Sequence, residues 1–280
     1  MDSAVVDQPA ELAWAFNTIG VQPVICGGLA VYLLFRDSPE VVRATSDIDL
    51  MIPASQAREE SRRRALAEVI TGSLEYVVRE EGKHFRFEKG SERQLDVLAP
   101  PVDGVPVEGD RVKFVRSMLH GRLTPEACFI EEDLRTVDLT GPLPDGQEMP
   151  TGKVCVPSPT NMLILKLFAF DDRDSDARRD AARAQAHAYD IYVIAALAGR
   201  SDYEEGREFL ARHEIAEVVQ RARAVVAAKF GALEQSGWRH VLGSAVFLPG
   251  RTMAEKREAL ELPMRRLWRW FEGPGLSASD

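Results

Sequence analysis

The sequence predicts an α/β region followed by an all-helical one. Three observations predict it: short alternating or apolar runs separated by turn residues up to about residue 157, a helix start at Ser158-Pro159, and helical periodicity almost without interruption from there to Phe271. The 280 residues are 45% hydrophobic and 28% charged, the usage of an ordinary globular protein, which excludes a disordered chain. Length allows one large domain or two modest ones. We divide the chain into 1–157 and 158–280.

Taken in order, Pro9 to Asn17 reads as a helix carrying Trp14 and Phe16, ended by Gly20. Val21 to Cys26 reads as a short buried strand. Gly27 and Gly28 then open a second, wholly apolar helix, Leu29 to Phe35. After a polar loop, Arg36 to Ser46, Ile48, Leu50 and Ile52 alternate with Asp47, Asp49 and Met51 as a strand closed by Pro53, both carboxylates on one face. Ser55 to Ile70 is a charged amphipathic helix whose Arg62 to Arg64 form an exposed face. Two alternating runs follow, Leu74 to Arg79 and His84 to Glu88. The turn Lys89-Gly90-Ser91-Glu92 joins the second to Gln94 to Leu98 as a hairpin. Residues 99–157 are rich in Pro and Gly, with strand-like pieces such as Val154 to Val156. The helical region opens with a capping serine and a first-turn proline and breaks near Gly199, Gly231 and Pro249-Gly250.

Charge and cysteines narrow the function. The net charge of −9 lies wholly in the first region, which holds 17 basic and 26 acidic residues in 1–157 against 18 of each in 158–280. A protein built mainly to grip a phosphate backbone shows the opposite sign. An acidic half suits a site that concentrates a divalent cation. No apolar run reaches the roughly 18 residues a membrane span needs. The first ten residues carry Asp2 and Asp7 without a basic residue, unlike a secretory signal. Cys26, Cys128 and Cys155 lack zinc or disulfide spacing and read as buried packing in a reduced, cytoplasmic protein.

Three features line up into chemistry. Gly27-Gly28 sits between a strand and a helix, where bare backbone N–H groups at a positive helix end accept phosphate. Asp47 and Asp49 share one strand face about 7 Å apart and suit a hard cation such as Mg²⁺. Asp96, between Leu95 and Val97, adds a third carboxylate if its strand pairs beside the first. Alone, the first two have ordinary readings, a turn and a solvated strand end, while an Asp between apolar strand residues is more unusual, since a buried carboxylate is costly unless paired or metal-bound. Together, three carboxylates and a phosphate cradle are what metal-assisted nucleotidyl transfer requires. A nuclease or phosphodiesterase would use the same metals but has no need of the glycines.

Gly27-Gly28-Leu29-Ala30, then Arg43-Ala44-Thr45-Ser46-Asp47-Ile48-Asp49-Leu50, then Leu95-Asp96-Val97, resemble the DNA polymerase β-like nucleotidyltransferase superfamily. Within it, Arg-x-Thr-x-Asp-x-Asp is similar to the AbiEii/AbiGii toxin-type nucleotidyltransferases, and the likeness spans roughly residues 21 to 198. Lys166 in Leu165-Lys166-Leu167 and Asp190 in His187-Ala188-Tyr189-Asp190-Ile191-Tyr192 look like that family's helical Lys and later Asp. The resemblance implies an α+β fold: a nucleotidyltransferase domain with a mixed sheet, then a helical domain, with the site in the cleft between them. It implies Asp47, Asp49 and Asp96 as ligands of Mg²⁺, two ions in all, with Asp96 also assisting deprotonation of the acceptor hydroxyl. Gly27, Gly28 and Lys166 would hold the triphosphate of an NTP, and Asp190 would orient substrate. Arg43 and Thr45 would touch phosphate or brace the carboxylate strand. The acceptor is left as an RNA end such as tRNA, a protein side chain, or a small aminoglycoside-like molecule. An antitoxin partner, or a non-catalytic partner-binding module on the same fold, stands beside it. His187 and Asp190, at i, i+3, read as a helix-face hydrogen bond rather than a metal pair. Arg265, Arg266 and Arg269, alternating with Trp268, Trp270 and Phe271, read as an amphipathic packing helix rather than an RNA stack.

Overall fold

The structure, a computed structural model, describes residues 3–38, 47–80, 83–91, 93–116, 118–139, 152–175 and 180–272. The first elements are α1 (Ser3–Asn17), β1 (Val24–Cys26), α2 (Gly27–Phe35) and β2 (Ile48–Met51). Next come α3 (Ala54–Ala57), α4 (Glu60–Glu68), β3 (Val77–Val78), β4 (Arg86–Lys89) and β5 (Arg93–Ala99). The Pro- and Gly-rich stretch supplies β6 (Val107–Glu108), β7 (Arg111–Val115), β8 (Leu119–Leu123), β9 (Arg135–Leu139) and β10 (Gly152–Val156). The helices α5 (Pro159–Ser175), α6 (Ala181–Leu197), α7 (Arg200–Arg212), α8 (Glu217–Lys229), α9 (Ser236–Leu242) and α10 (Met253–Phe271) complete the chain. Two compact units result: the sheet belongs to the first, the helices from Pro159 onward belong to the second, and α2 passes into the second at Phe35.

The sheet is mixed, as the sequence predicts. Its order is β6-β7-β8-β5-β2-β1-β10-β9, with β3 and β4 attached beside β5. β2–β5, β5–β8 and β1–β10 are parallel, and the remaining pairs are antiparallel. One face is apolar: Ile48, Leu50, Leu95, Val97, Val112 and Phe114 are buried, and α4 covers β7 from that unit. The alternation that buries Leu95 and Val97 turns Asp96 to the other face. α1 lies against β10, where a Cβ on Gly152 would stand 3.1 Å from the Ala13 methyl.

Several boundaries differ from expectation for local reasons. α1 begins at Ser3 and carries Pro9 inside, since a proline removes one backbone bond without forbidding helix ahead of it. β1 loses Val21 to Pro23, because Pro23 has no N–H for a ladder; its carbonyl instead accepts from Cys155 N–H at 2.8 Å. The helix expected over Ser55 to Ile70 is split into α3 and α4. Arg63 folds back at the break, its Nη1 donating to the carbonyls of Ala57 at 2.8 Å and Arg58 at 2.9 Å. The strand expected over Leu74 to Arg79 shrinks to β3. Cys26 and Cys155 are buried, but Cys128 is exposed at the end of a short turn and is not core packing.

In the second unit, helices break near Gly199, Gly231 and Pro249-Gly250 as expected, and also between Arg212 and Glu217, where no glycine or proline marks the break. Gly199 N–H donates to Asp202 ahead of α7, and Gly250 adopts φ +78° before α10. α10 buries Leu260, Leu267, Trp270 and Phe271 and exposes Arg265 and Arg269, the packing arrangement expected of it. Arg266 reaches the C-terminal carbonyls of α6, donating to Ala196 at 2.7 Å and to Ala198. Trp270 Nε1 donates to Thr160 Oγ1 at 3.1 Å, and α7 crosses that contact at Gly206. A Cβ on Gly206 would lie 2.2 Å from both Thr160 Oγ1 and Trp270 Nε1. Gly206→Ala is therefore expected to destabilise the chain by about 1–3 kcal/mol, the scale of overpacking, although alanine favours helix. Urea unfolding checks it; a rise in the midpoint would mean that α7 does not pack this closely. No helix among the described residues is long and apolar enough to cross a membrane.

Candidate active site

The first unit assembles its site around one cross-strand row. β1 runs antiparallel to β2 with Cys26 opposite Asp49, and β5 runs parallel to β2 with Asp96 opposite Asp49. Neighbouring strands lie about 4.8 Å apart, so the two carboxylates stand side by side on one face. Asp49 and Asp96 are half-buried. Asp47 is exposed and precedes β2, whose first residue is Ile48, so it stands at the mouth of the strand rather than within it.

Gly27 fits this row in two ways. Its φ of +72° is one that a side chain disfavours, and a Cβ there would fall 1.9 Å from Asp49 Oδ2. The first residue of α2 therefore lies directly against the Asp49 carboxylate, at the positive end of an apolar, buried helix. Gly28, the next residue, is buried. Arg43 and Thr45 lie outside the described residues.

A fourth residue enters the row that sequence reasoning missed. Arg86 on β4 is the direct partner of Asp96 in the antiparallel β4–β5 pair, and its Nε stands 3.7 Å from Asp96 Oδ2. Its signal was present: a hairpin that pairs Lys89 with Arg93 across the Gly90 turn must pair Arg86 with Asp96. Among the described residues no group of three or more His, Cys, Asp or Glu side chains is gathered as a metal-holding cluster. The donors that suit a hard cation are thus Asp49 and Asp96 side by side, with Asp47 two residues before Asp49.

The second unit joins the other two candidates. Lys166 on α5 and Asp190 on α6 form an ion pair with Nζ 2.6 Å from Oδ2, their side chains 5% and 3% exposed. The pair joins α5 to α6, helices that pack on each other and on which Leu163, Leu167 and Ile194 are also buried. His187 shares α6 one turn before Asp190. The charged stretch after Lys166 is taken up elsewhere. Asp171 and Asp174 bind Lys229 at 3.0 and 2.8 Å, and Asp180 caps α6 by accepting from Arg183 N–H. Partial burial acts to raise the pKa of Asp174, but the bonds from Lys229, Ser236 and His240 outweigh it and hold the carboxyl below its usual value.

A family model described as "Nucleotidyl transferase AbiEii toxin, Type IV TA system" matches residues 16–271. The match begins within α1 and ends at the last residue of α10, so the likeness extends past the 21–198 expected from motifs. Helices α7 to α10 carry packing patterns rather than catalytic motifs, which is why the residues alone did not show it. No curated protein matches the chain.

Proposed function

The chain belongs to the AbiEii nucleotidyl transferase toxin family of type IV toxin–antitoxin systems, and we propose that it transfers a nucleoside monophosphate from an NTP to an acceptor hydroxyl with Mg²⁺. The observation that carries this reading is the row in which Gly27 abuts Asp49 and Asp49 lies opposite Asp96. Its residues fit a divalent ion on donor chemistry: hard carboxylate oxygens in adjacent register, beside a glycine whose missing Cβ leaves the Asp49 carboxylate its space. Asp49 and Asp96 would hold the ions, with Asp47 at the mouth of β2 as the further carboxylate. When bound, the ions would lower the pKa of the acceptor hydroxyl and neutralise the departing pyrophosphate.

The chain's own groups then have defined tasks in the proposal. Asp96 takes the hydroxyl proton as the acceptor oxygen bonds to the α-phosphorus and the α–β bridging bond breaks, releasing pyrophosphate. Gly27 and Gly28 present backbone N–H groups to phosphate oxygens. Lys166 supplies a point charge to the triphosphate, and Asp190 holds that ammonium in place. We assign the protein to the cytoplasm and an antitoxin as its genetic partner.

Labelled NTPs, Mg²⁺ and pools of RNA, protein and small hydroxylated acceptors test the reading together with calorimetry. Label is expected to move to one acceptor class with release of pyrophosphate, which also identifies whether the hydroxyl belongs to an RNA end, a protein or a small molecule. A chain that binds no NTP in the presence of Mg²⁺ would be a partner-binding module and not a transferase.

A further inference from the structure

Arg86 has a place in the carboxylate row that neither the motifs nor the proposed reaction uses. The other cations of its hairpin are engaged away from that row. Lys89 and Arg93 both bind Glu11, at 2.9 and 2.6 Å, and Arg79 binds Gln94 at 2.8 Å. Arg86 instead lies opposite Asp96, and Asp96 lies opposite Asp49, so one cation and two anions run in register across β4, β5 and β2. The Arg86 Nε atom is buried and makes no hydrogen bond, although it stands 3.7 Å from Asp96 Oδ2. A desolvated guanidinium N–H turned toward a carboxylate it does not fully engage is a costly arrangement for a residue with only a packing role.

Two carboxylates opposite each other repel, and the positive charge beside them lowers that repulsion. The same charge opposes any divalent cation approaching the pair. We propose that Arg86 is a positioning residue that holds Asp96 against β4 and competes with the divalent ion for it, thereby setting the ion concentration the site requires. This rests on the reading of Asp49 and Asp96 as metal ligands.

The test is Mn²⁺ binding to the full chain, followed by electron paramagnetic resonance, with no nucleotide present. Arg86→Gln is expected to tighten Mn²⁺ binding roughly tenfold, the effect of removing a unit charge about 6 Å from a divalent ion in water-like surroundings. Arg86→Lys, which keeps the charge, is expected to bind like the unaltered chain. A purely structural arginine would give weaker or unchanged binding on removal, so tightening separates the two roles. In an Asp96→Asn background the Arg86→Gln effect is expected to shrink, because Asp96 is the carboxylate for which Arg86 and the ion compete. If the unaltered chain binds Mn²⁺ and Arg86→Gln leaves its affinity unchanged or weakens it with the fold intact, the inference is overturned alone. If the unaltered chain binds no Mn²⁺, the metal reading falls and takes the inference with it.

Discussion

An Asp49→Asn chain is expected to lose nucleotidyl transfer by about 10³-fold, the scale of removing a group that stabilises transition-state charge, while folding slightly better. The two effects have one origin. Asp49 is held between the first residue of α2 and Asp96, its Oδ2 occupying the space where a Gly27 Cβ would otherwise be. Asparagine keeps that shape but removes a charge directly opposite another carboxylate, which relieves a cross-strand repulsion of about 0.2–1 kcal/mol. Stability and activity should therefore move in opposite directions, as they do where a site keeps like charges together for function. The measurement is transfer rate beside urea midpoint for the same preparation. Transfer within tenfold of the unaltered chain would remove Asp49 from the reaction, and a lower midpoint would show that its charge is structural.

The carboxylate row is largely legible in the sequence. Alternation puts Asp47 and Asp49 on one side of a strand, and the Lys89-Gly90-Ser91-Glu92 turn sets the register of the hairpin that carries Asp96. What alternation does not determine is which strands lie beside one another. β10 pairs with β1 across nearly half the chain, Val24 opposite Cys155, and no local pattern at either end announces it. β6 has only two residues and β7 to β10 five each, so no run is long enough to separate a strand from a loop in a Pro- and Gly-rich stretch. Arg86 was overlooked because its type is ordinary for an exposed hairpin. Only pairing the turn residue by residue gives its position significance. Asp47 shows the opposite limit: the alternation includes it, but the ladder starts one residue later.

The buried pair in the helical unit has the largest expected effect on stability. Lys166→Met is expected to destabilise the chain by about 3–5 kcal/mol, because it takes the ammonium away from a carboxylate whose side chain is 3% exposed. Asp190→Leu strands the ammonium of Lys166 in the same way, at similar cost. The double variant Lys166→Met/Asp190→Leu is expected to recover most of either loss. Apolar side chains of similar volume satisfy the α5–α6 contact without desolvating a charge. Chemical unfolding of the four chains gives the cycle directly. Single substitutions costing under about 1 kcal/mol would show the pair to be solvated and freely exchanging partners. The cycle also separates packing from chemistry. If the double variant is stable and still transfers nucleotide, the pair serves the fold alone. If it is stable and inactive, the ammonium has a task on the triphosphate that no apolar side chain replaces. A buried ion pair contributes little to stability over an apolar substitute, so retaining one between two helices is a cost that a catalytic role would account for.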